Sequence, residues 1–197
     1  MFVTFEGIDG SGKTTQVELL RAELERRGHE VVAPREPGGT ELGEGIRQLV
    51  LHGYGMAPWA EACLYAAARA ELVAEVIVPA LDRGADVVCD RYVDSSLAYQ
   101  GGARGLGLDR VLELNLSAVE GLLPDRTFLL ALDAEEALAR VSATPDRIER
   151  EGLAFMQAVE RAYRELAATF AQRIVVLDAT KPPEETAQEI LGHLGLS

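Results

Sequence analysis

Short apolar runs alternate with longer stretches of helical periodicity along the whole chain. Phe2–Phe5, Glu30–Ala33, Asp86–Cys89, Thr127–Leu132 and Arg173–Leu177 are short, β-branched or apolar, and mostly without polar alternation. Such runs suit strands covered on both faces of a parallel sheet. Between and after them lie helical patterns at Lys13–Arg27, Glu41–Leu51, Pro58–Arg83, Leu108–Gly121, Ala134–Val141, Ile148–Ala171 and Glu184–Leu194. The alternation predicts an α/β fold of three layers with a five-stranded parallel sheet. Two segments stand outside it. SSLAYQGGARGLGL (95–108) reads as surface loop in part, and SATPDR (142–147) as a polar break between helices. Segments of this kind in a compact chain often carry function.

Composition narrows the class. The chain has 197 residues, 48% hydrophobic and 26% charged, which fits one soluble globular domain over 1–197. No apolar run reaches membrane-span length. The opening MFVTFEG has no basic and apolar leader, so a cytoplasmic protein is expected. Cys63 and Cys89 sit among apolar neighbours and are expected to be buried and reduced. The net charge of −13 argues against nucleic acid or an anionic membrane as partner. Small molecules are the expected partners, and any anion must be held by a local cluster of donors.

One such cluster is explicit. Gly7-Ile8-Asp9-Gly10-Ser11-Gly12-Lys13-Thr14, followed by Thr15, fits G-x-x-x-x-G-K-[ST] between a strand and a helix. Glycines let successive N–H groups form one concavity, and the helix start adds its positive dipole end. Lys13 is placed to reach the outer phosphates of a nucleotide, and the Thr14 hydroxyl to ligate Mg²⁺. The motif predicts ATP and Mg²⁺ as ligands without separating a kinase from a switch. No base-reading N-K-x-D follows, and the chain is only about one domain long, which favours a kinase. At the end of the third strand, Asp90 is a candidate for Mg²⁺ or its waters, and Arg91 for a second phosphate. A surface Asp–Arg pair would carry the same letters.

Asp90–Gly101, DRYVDSSLAYQG, resembles the D-R-[YFH]-x-x-S-x-x-A-Y-Q signature of the thymidylate kinases. Phe5–Thr15 is similar to that family's F-E-G-x-[DE]-G-x-G-K-T-T loop. Arg35–Thr40 resembles R-E-P-G-G-T, Leu64–Arg69 resembles L-[FL]-x-A-x-R, and Asp146–Glu149 resembles the D-R-[IL]-E that closes the lid. The resemblance implies a P-loop kinase fold with a short helical lid at about 140–150. It implies transfer of the ATP γ-phosphoryl group to dTMP, giving dTDP, in dTTP synthesis by a homodimer. It also implies roles. Asp9 accepts a hydrogen bond from the sugar, and Arg91 holds the acceptor phosphate. Glu36 and Arg47 line the monophosphate site. Tyr65 stacks on thymine, Arg69 bonds a thymine carbonyl, and Ser96 and Gln100 meet the base edge. Tyr99 crowds the sugar 2′ position.

The chain departs from the family in two places. Ala68 stands where a polar residue commonly precedes the arginine, and the lid is sparsely basic. With Gly10 at the P-loop position where some members have arginine, the lid is expected to supply the catalytic arginine. Arg147 is the first candidate, Arg140 the next, and Arg150 a third. A kinase for another small acceptor, a P-loop switch protein and a catalytically weak relative all share the P-loop.

Overall fold

The computed structural model describes residues 1–140 and 146–196. Five strands, β1 (Phe2–Glu6), β2 (Val31–Val32), β3 (Asp86–Asp90), β4 (Arg126–Ala131) and β5 (Ile174–Asp178), form one sheet. Their order is β2-β3-β1-β4-β5 and every pairing is parallel. Each strand therefore needs a crossover, and the helices fill both faces. They are α1 (Lys13–Arg26), α2 (Glu41–His52), α3 (Pro58–Leu72), α4 (Val78–Asp82), α5 (Val93–Ser96), α6 (Leu108–Ala118), α7 (Ala134–Arg140), α8 (Leu153–Thr169) and α9 (Pro183–His193).

Strand alternation assigns the faces. Val3 and Phe5 pack with Val17, Leu20 and Leu24 of α1 and Ile190 and Leu191 of α9. Phe2 on the opposite face joins the larger core with Ile46 of α2, Leu72 of α3, Val111 of α6 and Val159 of α8. Thr4 and Glu6 share that second face of β1 and are fully buried. Burying side chains of this size on two faces is the main stabilising term, at about 25 cal/mol per Å² of apolar surface. Among the described residues, no helix is long and apolar enough to cross a membrane.

The sequence pattern and the structure differ in four places. Residues 95–108 are not a surface loop: Val93–Ser96 is α-helical, Leu97–Ala103 is a π-helical segment, and both are largely buried. The glycines there serve close packing. A Cβ on Gly102 would lie 2.5 Å from Cβ of Ala162 on α8. The stretch Pro58–Arg83 is interrupted by a π-helical turn at Val73–Ile77, just before Pro79. Ile148–Ala171 is divided: Glu149–Glu151 forms a 3₁₀ turn, and Gly152 at φ 84° starts α8 at Leu153. Cys63 is exposed on α3, whereas Cys89 is buried as expected. Val141–Pro145 of the lid and break region lie outside the described residues.

Candidate active site

The loops after β1, β2 and β3 emerge side by side at the C-terminal edge of the sheet, where the crossovers from β1 diverge. This is where open α/β sheets take ligands. A cavity of about 680 Å³ opens there. Its walls include the P-loop, Pro34–Pro37 after β2, Asp90 and Arg91 after β3, and Tyr65, Ser96, Tyr99 and Gln100 from the helices.

The P-loop backbone turns through positive φ at Gly7 (140°), Gly10 (85°) and Gly12 (90°), and α1 starts at Lys13. Gly12 caps this helix without a side-chain bond, so Asp9 is not its cap. Asp9 turns instead toward the cations. Its Oδ1 accepts from Arg91 Nη2 at 2.5 Å and lies 3.8 Å from Lys13 Nζ. Burial works against its charge, but the Arg91 and Lys13 cations hold the Asp9 carboxyl down at about 2. Lys13 Nζ donates to the Ile8 carbonyl at 2.9 Å. Burial, with Arg91 nearby, lowers the Lys13 ammonium to about 8 despite Asp9, Asp90 and Glu6.

Arg91 adopts φ 71°, a left-handed conformation uncommon for a side-chain-bearing residue. Its Nη1 donates to the Gly7 carbonyl at 3.0 Å and Ser95 Oγ at 3.2 Å. Its Cζ lies 5.3 Å from the ring centre of Tyr99. Beneath the turn sits Glu6. Its Oε1 accepts from the Tyr92 and Ser95 N–H groups at 2.7 and 3.2 Å. Its Oε2 accepts from Ser95 Oγ at 2.5 Å and Tyr163 Oη at 2.8 Å. Four donors on one carboxylate fix the backbone turn that aims Arg91. Burial, with the charge of Asp94 added, pushes Glu6 up to about 7 against Arg91, Ser95 and Tyr163.

Thr14 Oγ1 donates to Asp90 Oδ2 at 2.7 Å, so the two expected metal-site residues are neighbours. On the wall formed after β2, Arg47 Nη1 donates to the Pro37 carbonyl at 2.9 Å. Glu36 Oε2 pairs with Arg69, while its Oε1 is buried without a hydrogen-bond partner. Burial raises the Glu36 carboxyl. Tyr65 and Gln100 line the cavity, with Gln100 Nε2 bonded to Glu61 Oε1 at 2.9 Å.

Arg69 lies deeper than its sequence role implied. It is 1% exposed. Its Nε and Nη2 reach Glu36, Nη2 also reaches the Tyr92 carbonyl, and Nη1 serves Ser96 Oγ and Asn115 Oδ1. It organises the wall of the cavity through Glu36 and Ser96. A base contact requires sharing one of these donors.

The first two lid candidates part company. Arg147 turns away from the P-loop: its Nε donates to the Val50 carbonyl and its Nη2 to Glu61, each at 2.7 Å. Arg140 lines the cavity and donates from Nη1 to the Ala179 carbonyl at 3.3 Å. A Cβ on Gly10 would meet the Ala137 carbonyl oxygen at 2.8 Å and Arg140 Cβ at 3.3 Å. The end of α7 thus covers the P-loop glycine, and no side chain fits at position 10. Sequence reasoning missed Glu6, Ser95, Glu61 and Tyr163. A carboxylate in the apolar run FVTFE was the available signal for the first of them.

A parallel sheet with a P-loop after its first strand, facing a cation-lined cavity, defines a P-loop nucleotide-binding protein. The family model described as thymidylate kinase matches residues 5–190. A thymidylate kinase of Clavibacter michiganensis subsp. michiganensis is 53% identical over 194 residues, spanning 96% of this chain and 92% of that protein. The one from Mesoplasma florum is 48% identical over the same shares. A crystal structure of thymidylate kinase from Ehrlichia chaffeensis superposes with TM-score 0.80 at 34% identity, covering 98% of each chain. The chain belongs to the thymidylate kinase family.

Proposed function

We propose that the chain transfers the γ-phosphoryl group of ATP to the phosphate of dTMP, giving dTDP and ADP. It acts as a single-domain, cytoplasmic homodimer, as its family resemblance implies. The observation that carries the reading is the pairing of Lys13 and Arg91 across Asp9, between the P-loop and the acceptor-side wall. Two polyanions meeting at this point face cations already held in place.

Mg²⁺ fits the oxygen donors Thr14 Oγ1 and Asp90 Oδ2. When bound there with nucleotide, it supplies neutralisation of phosphate charge. The chain supplies the rest. Lys13, held under the loop by the Ile8 carbonyl and flanked by Asp9, contributes a positive charge to the donor phosphates. Arg91, locked by Gly7, Ser95 and Asp9, presents a fixed guanidinium to the acceptor phosphate. Because the acceptor oxygen is already anionic, no strong general base is required. Positioning and preorganised charge carry the catalysis. Asp9, ionised at neutral pH, orients Arg91 and remains an acceptor for the sugar hydroxyl. Arg140, at the rim beside Gly10, is the lid arginine better placed for the transferring group. Arg147 anchors the far side of the lid to α2 and α3.

The test is ADP production with ATP and Mg²⁺ against dTMP, dUMP, UMP, dCMP, AMP and no acceptor. Strong turnover with dTMP, weak turnover with dUMP and negligible turnover with UMP are expected. Turnover independent of any acceptor would sink the reading. Sedimentation of the purified chain checks the dimer.

A further inference from the structure

Glu61 lies on α3, away from the P-loop, and is 1% exposed. A carboxylate so buried needs cationic or hydrogen-bonding partners, and it has several. Arg104 donates to both oxygens at 3.2 Å, and Arg147 donates to Oε2 at 2.7 Å. Burial alone would raise this group; the bonds from Gln100, Arg104 and Arg147 outweigh it and hold Glu61 below the usual range. Glu61 is therefore an anion, which can only accept. Its remaining bond is the one that matters for chemistry: Oε1 accepts from Gln100 Nε2 at 2.9 Å.

A side-chain amide is otherwise free to turn over, exchanging its donor and acceptor ends. Gln100 is not. Turning it would set its carbonyl oxygen against an ionised carboxylate in a buried site, leaving two acceptors face to face. Glu61 is in turn kept from rotating by two arginines, one of which, Arg104, also pairs with Glu151 at 2.7 Å. The amide carbonyl of Gln100 is thus the end left for a ligand in the cavity that Gln100 lines.

We propose that Glu61 is a positioning residue for acceptor specificity: it fixes the Gln100 amide with its carbonyl toward the base, so that the site selects pyrimidines carrying a ring N3–H. Thymine and uracil donate from N3 and are accepted. Cytosine presents an N3 lone pair to the same oxygen and is rejected. This inference rests on the reading above, in which Gln100 faces the base.

The experiment measures kcat/KM for dTMP and dCMP in the wild type, Glu61→Gln, Glu61→Asp and Gln100→Leu. Glu61→Gln removes the charge and offers a donor, so that Gln100 can turn. Glu61→Asp keeps a counter-ion for the arginines but withdraws the oxygen from Gln100, which serves if the first variant does not fold. Each Glu61 variant is expected to lower the dTMP:dCMP ratio at least tenfold. A purely structural lesion lowers both values and leaves the ratio unchanged, and that result in a folded Glu61 variant overturns the proposal. Gln100→Leu separates the two levels. If it collapses the ratio while the Glu61 variants do not, Gln100 reads the base unaided and the role of Glu61 fails. If it too leaves the ratio unchanged, the placement of Gln100 at the base fails, and the inference with it.

Discussion

Lys13 and Arg91 are the two cations that flank Asp9, and each is constrained differently. Lys13 is buried, and burial brings its ammonium to about 8, within reach of ordinary assay pH. Its folded value lies below the usual 10.5, so charge is lost as pH rises through about 8. In the free enzyme, kcat/KM for ATP is expected to decline above that pH. Bound phosphates favour the ammonium, so kcat at saturating ATP should lack the same decline. A kcat/KM profile flat to pH 9.5 would refute this. Lys13→Ala should lower kcat by roughly 10²–10³-fold or more, as loss of a preorganised charge at the transferring group does. Arg91 differs because Asp9, Ser95 and Gly7 hold its guanidinium in place beside the P-loop. Arg91→Ala is expected to raise the KM for dTMP and lower kcat together, and steady-state kinetics with each substrate varied in turn checks it. A change confined to the KM for ATP would move Arg91 to the donor side.

The elements aim these residues, and their packing explains what the sequence made legible. The P-loop and the parallel sheet could be read because their signals are local: a motif of eight residues, and apolar runs of strand length. The segment 95–108 could not. Its serines and glycines look like loop, yet Ser95 and Ser96 are buried acceptors for Arg91 and Arg69, and Gly102 lets α8 approach. Side-chain partners far along the chain decide that outcome, and periodicity does not record them. Arg147 and Arg140 carried equivalent letters for the same reason; what separates them is that Arg147 bonds to Val50 and Glu61, whereas α7 carries Arg140 over Gly10. That contact is testable. Gly10 needs φ 85° and has the Ala137 carbonyl oxygen 2.8 Å from any Cβ. Gly10→Ala should push α7 from the loop, cost about 1–3 kcal/mol of stability and raise the KM for ATP. Calorimetry and ATP titration read the two effects, and a wild-type melting temperature with unchanged KM would contradict it.

Across the whole molecule, a buried polar seam runs from the site through the sheet to its far strand. Glu6 supports the Arg91 turn, Asp94 lies on the same helical turn, and Arg173 beside β5 donates to Asp94 at 2.6 and 2.8 Å. Arg173 also reaches Thr127 Oγ1, which meets Thr4 Oγ1 at 2.8 Å. The seam joins β1, β4 and the approach to β5 to the catalytic turn, so stability and site geometry share the same groups. Its pH behaviour follows from Glu6, whose folded value of about 7 lies above its ordinary 4.5. The native state then binds the proton more tightly than the unfolded chain. This contribution is fully present below about 4.5 and is lost as pH rises through about 7. Asp94 is one cause of the raised value, so Asp94→Asn has two consequences. It leaves Arg173 without its carboxylate, which should cost about 3–5 kcal/mol and, for a chain of this size, lower Tm by roughly 6–20 °C. It also lowers the Glu6 value, so the decline of stability between pH 4.5 and 7 becomes shallower than in the wild type. Denaturant unfolding across that range measures both. An equally large decline in the variant would show that Asp94 does not raise Glu6, and an unchanged Tm would remove the seam from the stability of the fold.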